Sequence, residues 1–201
     1  MVTIKIPEVA LTKAGIGSGY FKCTLAKIKN VKCRKQCRIY TENFPKIKTS
    51  GFGVCIFGEG EERNHAFYGI MKALFAQRQA IQIISVGEIT SAYFNDHAFY
   101  QACSTVDVLG ITELGVDEST LNRGSKQAVY DLFRKRADSS KPCVVATNLE
   151  IEFPDNCVDM LFPGLGNLLI ANTMLVNLSD RSDCEWLRKG HNISSKIIGE
   201  V

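Results

Sequence analysis

The sequence predicts an α/β protein built on a parallel sheet, and three observations carry that expectation. Short apolar runs at residues 54–57, 81–86, 106–111, 143–146 and 174–178 lack clean period-2 alternation, as strands buried on both faces do. Between them lie stretches of helical spacing, clearest over 125–136, where Ala128, Val129, Leu132 and Phe133 share one side. Alternation of the two kinds implies five parallel strands layered by helices on both faces, with right-handed crossovers. At 201 residues the chain fits one domain and can bury a sizeable core.

Residues 1–20 read as extended or irregular, with Pro7, Gly15, Gly17 and Gly19 as breakers. A basic, partly helical stretch follows over 22–44, which Pro45 is expected to end. The first strand feeds Gly58-Glu59-Gly60-Glu61-Glu62-Arg63-Asn64-His65 and a helix over about 66–77. The second strand leads into a helix over 88–100, with Ile89, Tyr93 and Phe94 on one side. Strands three and four enclose the helix 125–136 in a β-α-β unit and end in polar pairs, Thr112-Glu113 and Thr147-Asn148. Ligands of open parallel sheets sit beyond the carboxyl ends of the strands, so these pairs would face a common site. Residues 150–166, with Pro154 and Pro163, read as irregular, and 173–178 as the fifth strand. The tail is polar apart from Trp186, Ile197 and Ile198. The chain thus divides into a basic arm and helix over 1–50, a core over 51–180 and a polar tail over 181–201.

Charge follows the same division. Residues 1–50 hold eleven Lys/Arg against Glu8 and Glu42, a net of +9, while the rest holds thirteen against nineteen, a net of −6. A basic arm on an acidic body points to a polyanionic partner, and single-stranded DNA is the natural one. The candidate contacts are Lys22, Lys27, Lys29, Lys32, Arg34, Lys35 and Arg38, with Tyr20, Phe21 and Tyr40 available to stack on bases. The eight cysteines are scattered, and a reduced, cytoplasmic setting suits them better than a disulfide framework. Cys33 and Cys37 stand at i, i+4 with Cys23 upstream, yet no second Cys pair or nearby histidine completes a zinc set, so no metal is expected. His65, His97 and His191 are too separated to form a site, and Asp107, Asp117 and Glu118 read as solvated carboxylates flanking the third strand. No apolar run approaches a membrane span, and residues 1–7 lack a signal-peptide core.

Several stretches in order give the chain a family likeness. They are 14–16 through Thr24-Leu25, then 83–92, the strand closing on Thr112-Glu113, the segment 134–142, and Thr147-Asn148. Together they resemble the AAA+ domain of bacterial replicative helicase loaders, the DnaC/DnaI family, over about residues 12–180. The resemblance implies a three-layer AAA+/P-loop-like core with a five-stranded parallel sheet and a role in DNA replication. Glu113 and Asn148 would be what remains of the Walker B and sensor 1 positions. At this length the chain is expected to lack the separate helicase-binding domain that typical loaders carry before this core. Loader-like proteins occur in phage and mobile elements, which makes such an origin an expectation too.

The likeness fails where the nucleotide chemistry belongs. A phosphate loop of the form GxxxxGK[ST] wraps phosphates in backbone amides, neutralises them with lysine and holds magnesium with a hydroxyl. Here Gly58 and Gly60 persist, Arg63 and Asn64 stand nearest the lost lysine and hydroxyl, and the loop is about two residues short. Glu59, Glu61 and Glu62 bring negative charge to the same place. One like-charge contact at about 4 Å in a surface-like dielectric costs on the order of 4 kcal/mol. Thr112 replaces the magnesium-anchoring aspartate, and residues 161–167 contain no arginine to serve a neighbouring site. The expectation is therefore a pseudo-ATPase without cofactor, acting by binding a replicative helicase, a helicase loader or single-stranded DNA as accessory factor or decoy. The alternatives are an active ATPase with an atypical loop, working through Arg63 and Glu113 as a loader or a transposition helper, and a purely structural interaction module.

Overall fold

The computed structural model describes residues 6–58, 60–115, 121–149 and 157–178. Five parallel strands, β1 (Gly53–Phe57), β2 (Ile81–Ser85), β3 (Val108–Leu114), β4 (Cys143–Thr147) and β5 (Thr173–Asn177), stand in the order β2-β3-β4-β1-β5. Strand residues alternate between two cores. Val54, Ile56, Val144 and Val176 meet α2 (Val31–Ile47) and α3 (Glu61–Ala76), through Phe44, Phe67 and Met71 among others. Cys55, Phe57, Leu109 and Val145 meet the other layer, α4 (Val86–Asn95), α5 (His97–Thr105), α6 (Arg123–Asp138), α7 (Cys157–Leu161) and α8 (Leu165–Asn172). Burial on both faces is why these runs are apolar without alternation.

The segment set apart by its charge is, over its described part, packed on the core. Residues 8–13, expected to be irregular, form the helix α1 (Glu8–Lys13), whose Leu11 is buried. The backbone of Ala14 then accepts a hydrogen bond of 3.1 Å from the Ile83 amide on the outer edge of β2. Gly15 permits this approach, because a Cβ there would lie 2.7 Å from the Ile83 carbonyl oxygen. The contact covers part of a strand edge that could otherwise pair with another chain. Farther on, Lys72 of α3 donates through Nζ to the carbonyls of Phe21 at 2.6 Å and Cys23 at 2.8 Å.

Pro45 does not end its helix; α2 continues to Ile47. A proline deprives the carbonyl four residues earlier of its helical donor. Here that carbonyl, on Thr41, accepts instead from the Gln77 side chain at 2.8 Å. The single helix expected over 88–100 is two. α4 starts at Val86 behind a capping box of Ser85 and Glu88, and Asp96 breaks the run by capping α5, its Oδ1 accepting from the Phe99 amide at 2.9 Å. Within 150–166 the described part is largely helical rather than irregular, as α7 and the start of α8. Glu59, Asp117, Glu118, Pro154, His191 and the tail 181–201 lie outside the described residues.

Arg136 is the largest fully buried side chain. It donates to the carbonyls of Cys103 (2.7 Å), Val106 (3.1 Å) and Pro142 (2.8 Å), joining α5, α6 and the entry to β4. Its cationic group at the last turn of α5 also complements that helix's negative pole.

Candidate functional site at the carboxyl edge of the sheet

The strand order places β4 between β1 and β3, so the loop after β1 and the two polar pairs share one edge of the sheet. Only residues 58–60 join β1 to α3. Gly58 and Gly60 take φ of 130° and 81°, which a side chain would resist. No side chain caps α3; its first turn carries Glu61 and Glu62. Carboxylates at the positive pole of a helix are favourable, and this is the helix end that would otherwise attract an anion. Glu62 is engaged further, accepting from the Lys29 amide at 2.9 Å. The Arg63 guanidinium turns back to donate to the Gly58 carbonyl at 3.1 Å. Asn64 is half-buried on the same turn.

At β3 the strand runs through Thr112 and Glu113, as expected, and continues one residue past the pair to Leu114. Ile111 pairs with Val145 and Leu114 with Thr147, so β3 fits one extra residue into the ladder. Glu113 absorbs the bulge at φ 61° and is exposed. Thr147 is buried, donates to the Leu114 carbonyl at 2.6 Å and accepts from the Leu149 amide at 3.0 Å. Leu149 in turn lies over Gly115, where a Cβ would come within 2.3 Å of Leu149 Cγ. Thr147 therefore pins the ends of β3 and β4 together, while Asn148 is exposed.

Sequence reasoning missed two groups on α3, Tyr68 and, one turn farther from this edge, Lys72. Tyr68 of α3 stacks on Tyr20, ring centroids 4.0 Å apart. Burial, the Tyr20 ring and the nearby Glu113 carboxylate hold its phenol above the usual tyrosine range. Burial also pulls Lys72 below the usual lysine range. A motif search is blind to both, since they are ordinary helix residues whose setting comes from the N-terminal segment packing over α3.

Of the basic residues, Lys22, Lys27, Lys29, Lys32, Lys35 and Arg38 are exposed. Cys33, Cys37, Tyr40, Phe44 and Ile47 fill the inner side of α2, which leaves Lys32, Lys35 and Arg38 on its outer side. Arg34 is half-buried and donates to the Ile28 carbonyl at 3.2 Å, so it fastens the start of the helix. Arg38 lies 3.5 Å from Glu42, an exposed pair of little energetic weight. Two of the three aromatic residues expected to stack on bases are core residues: Tyr40 is fully buried with its hydroxyl on the Phe52 carbonyl, and Phe21 packs against the inner cluster. Tyr20 is the most open of the three, and Tyr68 covers one of its faces. Cys23, Cys33 and Cys37 are buried, and burial pushes the Cys37 thiol up to about 12. No group of three or more potential metal ligands occurs among the described residues.

The sheet order and three layers define an α/β core of the AAA+/P-loop type. Solved structures share it. The DnaC helicase loader superposes with a TM-score of 0.68 at 15% identity, covering 81% of this chain and 100% of that one. DnaI gives 0.62 at 12%, covering 81% and 91%. The replication initiator DnaA bound to AMPPCP and single-stranded DNA gives 0.61 at 14%, covering 87% of this chain and 55% of that one. No family model matches the sequence, and no curated protein is significantly similar to it. Among the described residues no helix is long and apolar enough to cross a membrane.

Proposed function

We propose that this is a DNA-replication protein of the helicase-loader type that has given up ATP hydrolysis and acts by binding. The observation that carries the reading is the start of α3, where Glu61 and Glu62 occupy the positive pole of the helix behind a three-residue connection. Arg63, the one cation nearest the lost lysine, is tied back to the Gly58 carbonyl. Glu113 as a general base would lack the anchored metal that a phosphoryl-transfer site requires. The fold shared with loaders and initiators supports a replicative helicase or its loader as the partner. The exposed lysines around the start of α2 support single-stranded DNA as a second target, as does the single-stranded DNA bound by the structurally similar DnaA.

The test is capture of a purified replicative helicase, or of its loader, on the immobilised chain after nuclease treatment and without nucleotide. Association independent of ATP is the expected result. Association that appears only with Mg-ATP would instead favour the active ATPase with an atypical loop.

A further inference from the structure

Across the sheet from α2 and α3, the first turns of α6 and the turn between α7 and α8 enclose a half-open groove of about 520 Å³. One wall is α6, with Leu121 just before it and Arg123 and Lys126 along it. The other is the apolar turn of Leu161, Phe162 and Pro163. Neither cation has a carboxylate partner among the described residues, and the nearest acid on the helix, Asp131, is taken by the Gln127 amide at 2.7 Å. Both cations sit within the first four residues of α6, which has no acidic residue in its first turn. A helix dipole disfavours cations there. Among the described residues, then, nothing neutralises this positive pair beside its apolar wall.

We propose that this groove docks a partner protein through an acidic segment bearing an aliphatic or aromatic anchor. Residues three apart on a helix stand about 5–6 Å apart at Cβ, a spacing that suits two carboxylates on a peptide better than one phosphate. Asn122 Oδ1 already takes the amide and hydroxyl of Ser125, which removes one donor of a phosphate cradle at the start of α6. Leu161, Phe162 and Pro163 offer an apolar seat without a side-chain hydrogen-bonding group, and the polar lining, Arg123, Lys126, Gln127 and Tyr130, all stands on α6. An anchor buried there would supply affinity, and the paired charges would supply register and speed of encounter. The docking face is opposite α2, so an occupied groove leaves the basic surface free. The inference does not depend on whether that surface binds DNA.

Fluorescence anisotropy with the full chain tests it. The probe is a short fluorescein-labelled peptide in which Leu-Phe is flanked on both sides by Asp-Glu. Its controls carry amides in place of the carboxylates, or Gly-Gly in place of Leu-Phe. Saturable binding of the probe is expected, weaker by about tenfold for each control, and weaker by about tenfold for the chain carrying Arg123→Glu with Lys126→Glu. That double exchange puts acids at a helix start, where they are tolerated, and circular dichroism checks the fold. The peptide controls on the unaltered chain read the proposal independently of the variant. Absence of saturable binding at low salt, equal binding of the amide peptide, or an unweakened variant would overturn it. So would an oligothymidylate that displaces the probe and is itself weakened by the variant, since the groove would then be a nucleic-acid site.

Discussion

Arg63 Nη1 donates to the carbonyl oxygen of Gly58 at 3.1 Å, tying the first turn of α3 to the end of β1. That bond leaves the guanidinium charged, but Glu61 and Glu62 share its turn and set two negative charges against a polyphosphate. Mg-ATP is therefore expected to bind without measurable affinity in isothermal titration and to leave the melting temperature unchanged. A ligand at a hundred times its dissociation constant would add about 2.7 kcal/mol. Arg63→Lys alone should not restore binding, because the short connection and the two glutamates remain. A micromolar dissociation constant for the unaltered chain would refute the pseudo-ATPase reading.

Strand positions were legible because burial on both faces forces short apolar runs, bounded here by glycine, proline or polar residues. The short, acidic connection after β1 was legible too, since charge and spacing are properties of the string itself. What escaped were features set by partners distant in sequence. Pro45 signals a helix end until Gln77 supplies the missing donor. Arg136 reads as one more surface cation in a basic run, and only the meeting of α5, α6 and β4 shows it buried. Thr112-Glu113 looked like a strand terminus because the bulge that carries β3 on to Leu114 leaves no local signature. Tyr40 looked available for stacking because its stretch is basic, whereas the spacing Cys33, Cys37, Tyr40, Phe44 marks an inner helix face.

Arg136 gives the largest expected loss of stability. Replacing it with methionine would leave the carbonyls of Cys103 and Val106 without a donor, while that of Pro142 keeps the Leu109 amide at 3.4 Å. Each buried unpaired acceptor costs about 1–3 kcal/mol, so a loss of about 2 kcal/mol or more should appear in urea unfolding. Arg136→Lys keeps the charge but not the fork, and should fall between the two. A methionine variant as stable as the parent would mean that these contacts contribute nothing net.

The link between Pro45 and Gln77 can be isolated by a double-mutant cycle. Gln77→Ala should cost about 1–2 kcal/mol by leaving the Thr41 carbonyl without a donor. In a Pro45→Ala background the helix supplies its own amide to that carbonyl, so the same exchange should cost less. Equal costs in the two backgrounds would show that the side chain stabilises the fold by some other route.

Asp107, expected to be merely solvated, accepts from the Ala80 amide at 3.2 Å and from Lys141 at 3.4 Å. The amide first, and Lys141 after it, hold its carboxyl below the usual 3.8. A carboxylate with a depressed folded-state pKa contributes stability above its unfolded value and loses it as pH falls through the folded value. The stability difference between the parent and Asp107→Asn should accordingly be present at neutral pH and shrink in acid below 3.8. A difference that stays constant into that range would remove the carboxylate's charge from the explanation.

The basic surface yields the last expectation, weak and sequence-indifferent binding of single-stranded DNA. Lys22, Lys27, Lys29, Lys32, Lys35 and Arg38 are exposed, while the aromatic side chains near them are mostly committed to the core. Affinity should therefore come from phosphate contacts rather than from base stacking. Such contacts release counterions, so log affinity should fall with log salt by about 0.7 per phosphate neutralised. The informative variant replaces Lys32, Lys35 and Arg38 with alanine and spares Arg34, whose bond to the Ile28 carbonyl would otherwise confuse folding with binding. Anisotropy of labelled oligonucleotides should show this variant weaker, with a shallower salt slope. A Tyr20→Ala exchange should change little, because Tyr68 already occupies one face of that ring. If the unaltered chain fails to bind at low salt, the lysines do not form a nucleic-acid site, and protein partners carry the function alone.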